Sequence, residues 1–447
     1  MQSEQSVEEW LKQNKITEVE CLVPDITGNA RGKFIPANKF VKEDSRLPEG
    51  ILAQTVTGEY SDDFWELLGT VEGDMLLEPD PSTMRRVPWA NEPTVQIIHD
   101  CFTKDGKPHP FSSRNVLKRI LALYKAEGLK PVIAPEVEFY LIGKNIDPDS
   151  ELKPPIGRSG RYETARQSYS IDAANEFEDF VETMYSYGGA MGLDLDTLIH
   201  ESGAAQLEVN FIHGDPLDLA DQVFTFKRLT REAALKHNIY ATFMAKPMAS
   251  EPGSAKHIHQ SVLSLKDGSN IFATADGEYS EAFYHYLGGL QTYTPFVMSF
   301  FAPNVNSYRR FTREVAAPIN LHWGFDNRTT GLRVPDAAPK DYRIENRFPG
   351  ADVNPYLSIA ASLACGYLGL KKGIKASEPF TGNAYNEEMQ MPRTLEEALR
   401  GLKEDNDIVE IFGSEFIQLY TSIKLAEFEE FNRVISSWER EFLLLAV

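Results

Sequence analysis

The sequence has few cysteines, no long apolar run and no excess of basic residues. Its 447 residues include 3 cysteines, which lie far apart and form no CxxC motif. Neither a disulfide framework nor a cysteine zinc site is therefore expected. No stretch is long and apolar enough to span a membrane, and the first residues are acidic and polar, unlike a secretion signal. These absences predict a cytoplasmic protein with no membrane partner.

Basic residues are outnumbered. Lysine and arginine number 45 against 66 aspartates and glutamates, which gives a formal net charge of −21. A nucleic-acid-binding protein needs a basic stripe, so no nucleic-acid partner is expected. The charge favours the approach of cationic small molecules only mildly, and a solvated acidic surface accounts for most of it.

Length and turn-forming residues predict two domains. A chain of 447 residues exceeds the usual content of one core. Gly and Pro interrupt the polar segment 105–112, which places an N-terminal domain at 1–108 and a second domain at 109–447. The predicted elements are strands at 18–23, 33–35, 74–80, 131–142 and 206–211, an irregular aromatic loop at 58–69, helices at 7–12, 173–187, 218–235 and 355–370, and a helix that Ser113 caps and Gly128 ends.

Acids and histidines recur at strand-like spacing. Two glutamates lie two apart in an otherwise apolar strand, two histidines lie two apart in another, and side chains two apart on a strand share a face. Because buried carboxylates need partners, the pattern predicts a site where divalent cations grip phosphates. Singly, the acids could lie on an exposed strand face, and a buried histidine is more often bonded to a backbone carbonyl. The residues concerned are Glu136, Glu138, His257, His259, Glu201 and Glu208.

A cationic group follows in the C-terminal half. Guanidinium groups bind carboxylates and phosphates through paired hydrogen bonds, so this group beside a metal site indicates transfer of a phosphoryl group to an acid. A surface salt-bridge network is the alternative, which is favoured for Arg309 and Arg313 but not for the whole set. The group comprises Arg309, Arg310, Arg328, Arg333, Lys340, Arg343 and Arg347, with Glu345 among them.

The motifs PEVEFYL, ESGAAQLEV, ATFMAKP with GSAKHIH, NVNSYRRF, NRTTGLRVP and RIENRFPGADVNPYL occur in that order. With them, the chain resembles the glutamine synthetase family along nearly its whole length. The resemblance implies an α+β fold with an N-terminal β-grasp domain and a catalytic domain of antiparallel strands and helices. It also implies a homo-oligomer, usually a dodecamer of two hexameric rings, with active sites between the N-terminal domain of one subunit and the catalytic domain of the next.

The same resemblance implies ATP as co-substrate, Mg²⁺ or Mn²⁺ as cofactor and glutamate as the acid that is phosphorylated on its γ-carboxylate. It assigns one metal to Glu138, Glu201 and Glu208 and the other to Glu136, His257 and Glu345. It places His259 and Ser261 on the nucleotide side. It assigns phosphate binding to Arg328, Arg333, Lys340 and Arg343, and binding of the amino acid to Arg310, Arg347 and Gly253.

Three departures from glutamine synthetases concern the acceptor. Ala316 stands where the ammonium-binding glutamate is expected, no DGSS motif occurs, and the longer aromatic segment 58–69 takes the place of that motif. Pro252 also replaces a usual asparagine, which puts one glutamate contact in doubt. A pocket without its anionic clamp is expected to select a larger amine. Among the branches of the family, the segments AAQLEVNFIHGDPLD, NVNSYRRF, WGFDNRT and GADVNPYL resemble most the γ-glutamylpolyamine synthetases.

The residues of an amine pocket are less defined. Aromatic candidates are Trp323, Tyr60, Phe64 and Trp65, for each of which a place in the core is an equal alternative. An alkylammonium must lose a proton before it attacks, so a carboxylate is expected nearby. The candidates for this base are Glu59, Asp62, Asp63 and Glu66.

Two other functions stay open: a glutamine synthetase that uses ammonium, and a non-catalytic scaffold. Complete retention of the acids and arginines argues against the scaffold. Tyr385 lies near the position of a tyrosine that is nucleotidylated in parts of the family, but it lacks the flanking sequence, so we predict that it is not modified.

Overall fold

Two β-sheets order the chain. The computed structural model describes residues 7–42, 45–61, 63–69, 71–164, 166–312 and 317–447. The strands of the first sheet are β1 (Glu18–Pro24), β2 (Ala30–Pro36), β3 (Ser45–Pro48), β4 (Asp74–Pro79), β5 (Arg85–Arg86) and β6 (Thr94–Phe102). They lie in the order β2, β1, β6, β4 and β3, with β5 against β6. β1 and β2 form the predicted antiparallel hairpin, and β1 pairs in parallel with β6.

The second sheet lies in the rest of the chain. Its strands are β7 (Leu129–Gly143), β8 (Leu195–His200), β9 (Gln206–Phe211), β10 (Ile239–Thr242), β11 (Lys256–Ser264), β12 (Trp323–Phe325), β13 (Leu332–Val334) and β14 (Ile344–Asn346). They lie in the order β12, β13, β14, β11, β7, β9 and β8, with β10 also against β7. Among the described strands of this sheet, all pairs are antiparallel except β12 with β13, which is parallel.

Helices pack against both sheets. Their bounds are α1 (Val7–Gln13), α2 (Ala37–Phe40), α3 (Phe64–Leu68), α4 (Ser113–Ala126), α5 (Ile171–Asn175), α6 (Glu178–Met191), α7 (Pro216–Lys236), α8 (Glu281–Tyr293), α9 (Met298–Phe301), α10 (Pro355–Lys372), α11 (Leu395–Glu404), α12 (Asn406–Phe412), α13 (Ser414–Asn432) and α14 (Ser437–Leu443). Over the described ranges, no helix combines the length and apolar character needed to cross a bilayer. The α+β class predicted from the sequence is confirmed.

Helix α10 is buried on most of its sides, as predicted. The Asn354 side chain accepts hydrogen bonds from the backbone N–H groups of Tyr356 and Leu357 at 2.9 and 3.3 Å, and Pro355 follows it at the start of the helix. The helix carries no charged residue before its last turn. A continuous apolar surface of this kind is stable only inside a protein, so α10 forms the support beneath the second sheet.

Three local predictions need correction. Ser112, not Ser113, caps α4, because its hydroxyl accepts the backbone N–H of Asn115. The loop 58–69 contains the short helix α3, whose Phe64 is fully buried. The helix predicted at 173–187 is divided into α5 and α6, because the Glu176 carbonyl accepts a hydrogen bond from the backbone of a preceding loop.

The first sheet is joined to the helices of the second by buried ionic contacts. The Arg114 guanidinium, which is 1% exposed, bonds Asp221 on α7 at 2.8 and 3.0 Å. It also contacts Asp80 at 2.6 Å and Asp100 at 2.5 Å, both from the N-terminal part of the chain. One side chain thus bonds three carboxylates where the two parts meet. The predicted division into domains at residues 108 and 109 falls just before α4 and stays a prediction.

We expect Arg114→Leu to lower the free energy of unfolding by about 3–5 kcal/mol, because it leaves the buried carboxylate of Asp221 without its cation and also removes a partner of Asp80 and Asp100. Urea denaturation measures the loss. The control is Arg158→Leu, which breaks an exposed pair with Glu178 in which both side chains are 53% exposed, and which should cost at most about 1 kcal/mol. Equal losses in the two variants would contradict a joining role for Arg114.

Candidate active site

Strand pairing places the predicted acids and histidines on one face of the second sheet. Residues directly opposite each other in antiparallel strands point to the same side. The opposed pairs are Glu136 with His257, Glu138 with Glu208, and His259 with Glu345. Glu201 directly follows β8, whose Ile199 is opposite Glu208, so Glu201 continues the same face. Residues from five strands or strand ends therefore converge there.

Two groups of ligand atoms are compact enough to hold a cation. The atoms of Glu136, His257 and Glu345 lie within 4.8 Å of one another, and so do those of Glu138, Glu208 and His257. The first group is the set that the resemblance implied for one metal. In the second, His257 takes the place expected for Glu201, which lines the same cavity but does not join either compact group.

The carboxylates carry excess negative charge that the protein balances only in part. Burial, and then the charge of Glu201, raises the pKa of Glu138 to about 8. Burial and the neighbouring acids raise the pKa of Glu208 well above its ordinary value and raise that of Glu201 as well. Burial also lowers the pKa of His257, which favours the neutral, metal-binding form of its ring.

This donor set fits a hard divalent cation. It consists of carboxylate oxygens and one imidazole, which suit Mg²⁺ or Mn²⁺, and it contains no thiolate. The side-chain oxygen of Asn210, opposite Glu136 on β9, is buried without a hydrogen-bond partner in the described part of the chain. An unpartnered acceptor beside clustered carboxylates is a further sign that a cation fits there.

Glu345 also pairs with two arginines. Arg333 Nη1 lies 2.7 Å from Glu345 Oε2, and Arg347 Nη1 lies 2.6 Å from Glu345 Oε1. Burial opposes ionisation, but the charges of Arg347 and the two histidines lower the pKa of Glu345 to about 2. Glu345 therefore stays ionised and connects the arginines to the acid cluster.

Two cavities meet at Glu136 and Asn210, which line both. The first, of about 790 Å³, is lined by His259 and Ser261, which are expected at the nucleotide, and by Lys340 and Arg343, which are expected at its phosphates. Arg328 and Arg333, the other residues expected at the phosphates, do not line it. The second, of about 520 Å³, is lined by Glu138, Glu201, Glu208, His257, Gly253, Arg310, Arg328, Arg333 and Arg347 among others. Both cavities thus combine acidic and basic side chains, with Lys340 and Arg343 as the cations of the first.

Gly253 is required by the close approach of Arg310. A Cβ atom at this glycine would lie 2.3 Å from Arg310 Cγ and 2.7 Å from the Ala245 carbonyl oxygen. The Gly253 carbonyl accepts a hydrogen bond at 3.1 Å from Gln206 Nε2, which also donates to Glu138 at 3.1 Å. Gln206 was missed in the sequence because a buried amide has no distinctive spacing. The carbonyl of Pro252 accepts the Tyr140 hydroxyl at 2.8 Å, so this position serves the local structure.

The structure does not place Trp323 at either cavity. Its side chain is fully buried, its indole donates to the Ser377 carbonyl at 2.8 Å, and it packs edge-on against Phe283 and Phe325. The prediction of Trp323 as an amine contact is corrected, because packing in the core explains the tryptophan. The cavity instead contains Tyr169 and Tyr385, which the sequence did not identify as site residues.

The described residues of the aromatic segment 58–69 lie outside the two cavities. Phe64 is buried, while Tyr60 and Trp65 are 37% and 49% exposed. Just before this segment, the backbone N–H of Val56 donates a hydrogen bond at 2.7 Å to the Glu427 side chain on α13. Within this chain, none of the described residues among the proposed bases lines the two cavities; they are Glu59, Asp63 and Glu66. Asp62, Arg313 and Ala316 lie outside the described residues.

A buried polar seam fixes the back of β11. On the face opposite His257 and His259, Gln260 Nε2 donates to Ser362 Oγ on α10 at 2.8 Å, and Asn346 Nδ2 donates to the same hydroxyl at 2.9 Å. Lys256 Nζ donates to Ser358 Oγ, one turn earlier on α10, at 2.8 Å. Hydrogen bonds have specific lengths and angles, so the seam holds β11 in one position relative to α10.

The sequence matches the family model described as glutamine synthetase, catalytic domain, over residues 110–443. It is 34% identical to gamma-glutamylputrescine synthetase PuuA of Escherichia coli strain K12, with 98% of this chain and 94% of that protein covered. It is 33% identical to a glutamate–isopropylamine ligase of a Pseudomonas species, with coverage of 97% and 96%. A glutamine synthetase of Pyrococcus woesei is similar to the same degree, at 33% identity and 96% coverage of both chains.

Among solved structures, GmaS in a complex with ADP has a similar fold. The TM-score is 0.84, the sequence identity is 26%, and 98% of each chain is covered. Both sheets and the surrounding helices are therefore shared along the whole chain.

The raised pKa of Glu138 predicts a pH dependence of stability. A carboxyl with a pKa of about 8 in the folded protein and 4.5 as its ordinary value binds its proton more tightly when folded. Its contribution is fully present below pH 4.5 and is lost as the pH rises to about 8. We expect thermal denaturation in EDTA to show this loss and to show a smaller loss in Glu138→Gln. Addition of Mg²⁺ or Mn²⁺ should restore stability less in Glu138→Gln than in the wild type. Glu127→Gln, on the surface, is the control. An unchanged pH slope in Glu138→Gln would contradict the burial of this charge.

We expect Ser362→Ala to destabilise the fold by about 1–3 kcal/mol, because it removes the hydroxyl that two buried amides share. Chemical denaturation measures the change. Ser377→Ala removes an exposed hydroxyl and should change stability by less than about 0.5 kcal/mol. The seam would have no structural importance if Ser362→Ala behaved like this control.

Proposed function

The chain belongs to the glutamine synthetase family, and from this membership we propose that it joins the γ-carboxylate of glutamate to a primary amine, with ATP as the source of energy. Formation of a C–N bond is the activity of the family. The choice of a polyamine or another primary amine as acceptor is the further step of the proposal. The observation that carries it is the convergence of acids and arginines on one sheet face between two cavities.

In this proposal the first cavity binds ATP and the second binds glutamate. His259 and Ser261 contact the nucleotide, and Lys340 and Arg343 contact its phosphates. Arg310 and Arg347 hold the α-carboxylate of glutamate, with Gly253 beside it. The junction of the cavities then brings the terminal phosphate near the γ-carboxylate, where Arg328 and Arg333 neutralise the charge on the transferred group.

Phosphorylation is needed because an oxide ion is too basic to leave a carboxylate. The phosphorylated acid offers phosphate as a leaving group, which the neutral amine displaces. Mg²⁺ or Mn²⁺, when bound, would supply further neutralisation of phosphate charge. Glu138, Glu201 and Glu208 would hold one ion, and Glu136, His257 and Glu345 the other. A carboxylate from the segment Glu59–Glu66 is the proposed acceptor of the proton from the alkylammonium.

The amine acceptor is supported by the loss of an anionic ammonium clamp. Alanine stands at position 316, the DGSS motif is absent, and the segment that replaces it is rich in aromatic side chains. By their names, two of the relatives given above are ligases that act on isopropylamine and putrescine. The archaeal glutamine synthetase of equal identity supports the second candidate, in which ammonium is the acceptor.

A homo-oligomer of two hexameric rings is part of the proposal. The aromatic and acidic segment lies outside the cavities of its own chain, and Tyr60 and Trp65 are partly exposed. In a ring, this segment would be offered to the site of a neighbouring subunit. Sedimentation velocity tests the assembly.

We expect ATP- and glutamate-dependent phosphate release with putrescine, cadaverine, spermidine, spermine, methylamine or isopropylamine, and little with ammonium. Loss of the buried negative clamp lowers the affinity for ammonium, while aromatic faces favour alkyl chains. Mass spectrometry of the product identifies the amide that forms.

Glu138→Gln is the control, and it should abolish turnover with every acceptor. Activity chiefly with ammonium would contradict the amine proposal and support the second candidate. A wild-type protein that binds ATP but is inactive with every acceptor would support the scaffold hypothesis instead.

A further inference from the structure

Tyr385 lies at the second cavity although its sequence context points to a surface loop. It belongs to a short 3₁₀ helix, Ala384–Asn386, and lines the cavity together with Arg310 and Arg347. Its side chain is half-buried, and its hydroxyl forms no hydrogen bond with any residue that the structure describes. A hydroxyl in this position is available to a ligand.

The backbone around Tyr385 is held from two sides. Asn320, which is fully buried, donates to the Ala384 carbonyl at 2.7 Å, and the Ala384 N–H donates to Thr329 Oγ1 at 2.9 Å. The Tyr385 N–H donates to the Asn383 side chain at 3.0 Å. The ring therefore keeps its place at the cavity unless these bonds break.

The position of the phenol decides which part of a ligand it meets. Arg347 and Arg310 line the same cavity as Tyr385. Burial raises the pKa of Tyr385, and the positive charges of these two arginines oppose the increase. The hydroxyl keeps its proton at neutral pH and can donate it. Guanidinium groups and a phenol are all donors, and a carboxylate has about four acceptor positions for them.

We propose that Tyr385 contacts the substrate by donating its hydroxyl to the α-carboxylate of glutamate, beside Arg310 and Arg347. The inference rests on the proposed function, which assigns this carboxylate to the two arginines. It adds a third donor that arises from a different segment. Thr329 lines the same cavity, and its hydroxyl accepts the N–H of Ala384, next to Tyr385. Because Thr329 directly follows Arg328, the segment that holds Tyr385 in place also carries a proposed phosphate contact.

Tyr385→Phe tests the proposal because it removes only the hydroxyl. Calorimetric titration of the full-length protein with glutamate, in the presence of Mg²⁺ and a non-hydrolysable ATP analogue, measures binding without any acceptor amine. We expect the variant to bind glutamate about tenfold more weakly, as for the loss of a hydrogen bond to a charged group. Binding of the ATP analogue should stay unchanged.

Tyr284→Phe is the matched control. Tyr284 is 37% exposed, lies outside both cavities, and should bind glutamate like the wild type after the change. Tyr385→Leu removes the ring as well as the hydroxyl, so it separates the effect of packing from that of hydrogen bonding. If the melting temperature changes in this variant alone, the affinity change in Tyr385→Phe measures the hydroxyl.

The possible outcomes are distinct. If the wild type binds glutamate and Tyr385→Phe binds it with the same affinity, the contact is overturned while the proposed function stays intact. A Tyr385→Phe variant with a raised KM for the amine alone would also overturn it, because the phenol would then belong to the acceptor. If the wild type itself binds no glutamate, the proposed function fails and the contact fails with it.

Discussion

Mutual repulsion among buried carboxylates on one sheet face is the constraint on which the site depends. Glu136, Glu138, Glu208 and Glu345 are opposed to one another or to histidines across paired strands, so they share one face of the sheet. Of these four, Glu345 forms ion pairs with two guanidinium groups. The charge that remains is the reason that a divalent cation fits, and it also keeps this face from closing into an apolar core.

Such a face requires rigid support from behind. The hydroxyls of Ser358 and Ser362 on α10 hold the back of β11 and β14 through hydrogen bonds with buried polar side chains. Helix α10 is in turn fixed by Asn354, whose amide also donates to the carbonyls of Asp25 and Ile26 in the turn between β1 and β2. The position of the acid cluster is therefore connected to the N-terminal part of the chain through one helix.

Two adjoining cavities share the acid cluster. Lys340, Arg343 and His259 line the first cavity beside acidic side chains, and acids together with arginines line the second. Glu136 belongs to both, so a phosphate in one cavity and a carboxylate in the other would meet at the acid cluster. This arrangement is consistent with transfer of a phosphoryl group between two anions, which is the step that needs the most neutralisation of charge.

Much of this was readable in the sequence because it depends on local periodicity. Alternation along single strands placed Glu136 with Glu138 and His257 with His259, and an asparagine followed by a proline marked the start of α10. The sequence alone therefore determined the strand faces, the α+β class and the family. Tertiary structure alone decided that His257 belongs to both compact ligand groups, that Trp323 is part of the core, and that Tyr385 lies at the cavity. These facts depend on which distant segments meet, and the pairing of distant segments is set by packing and register, which leave no periodic signal in either segment.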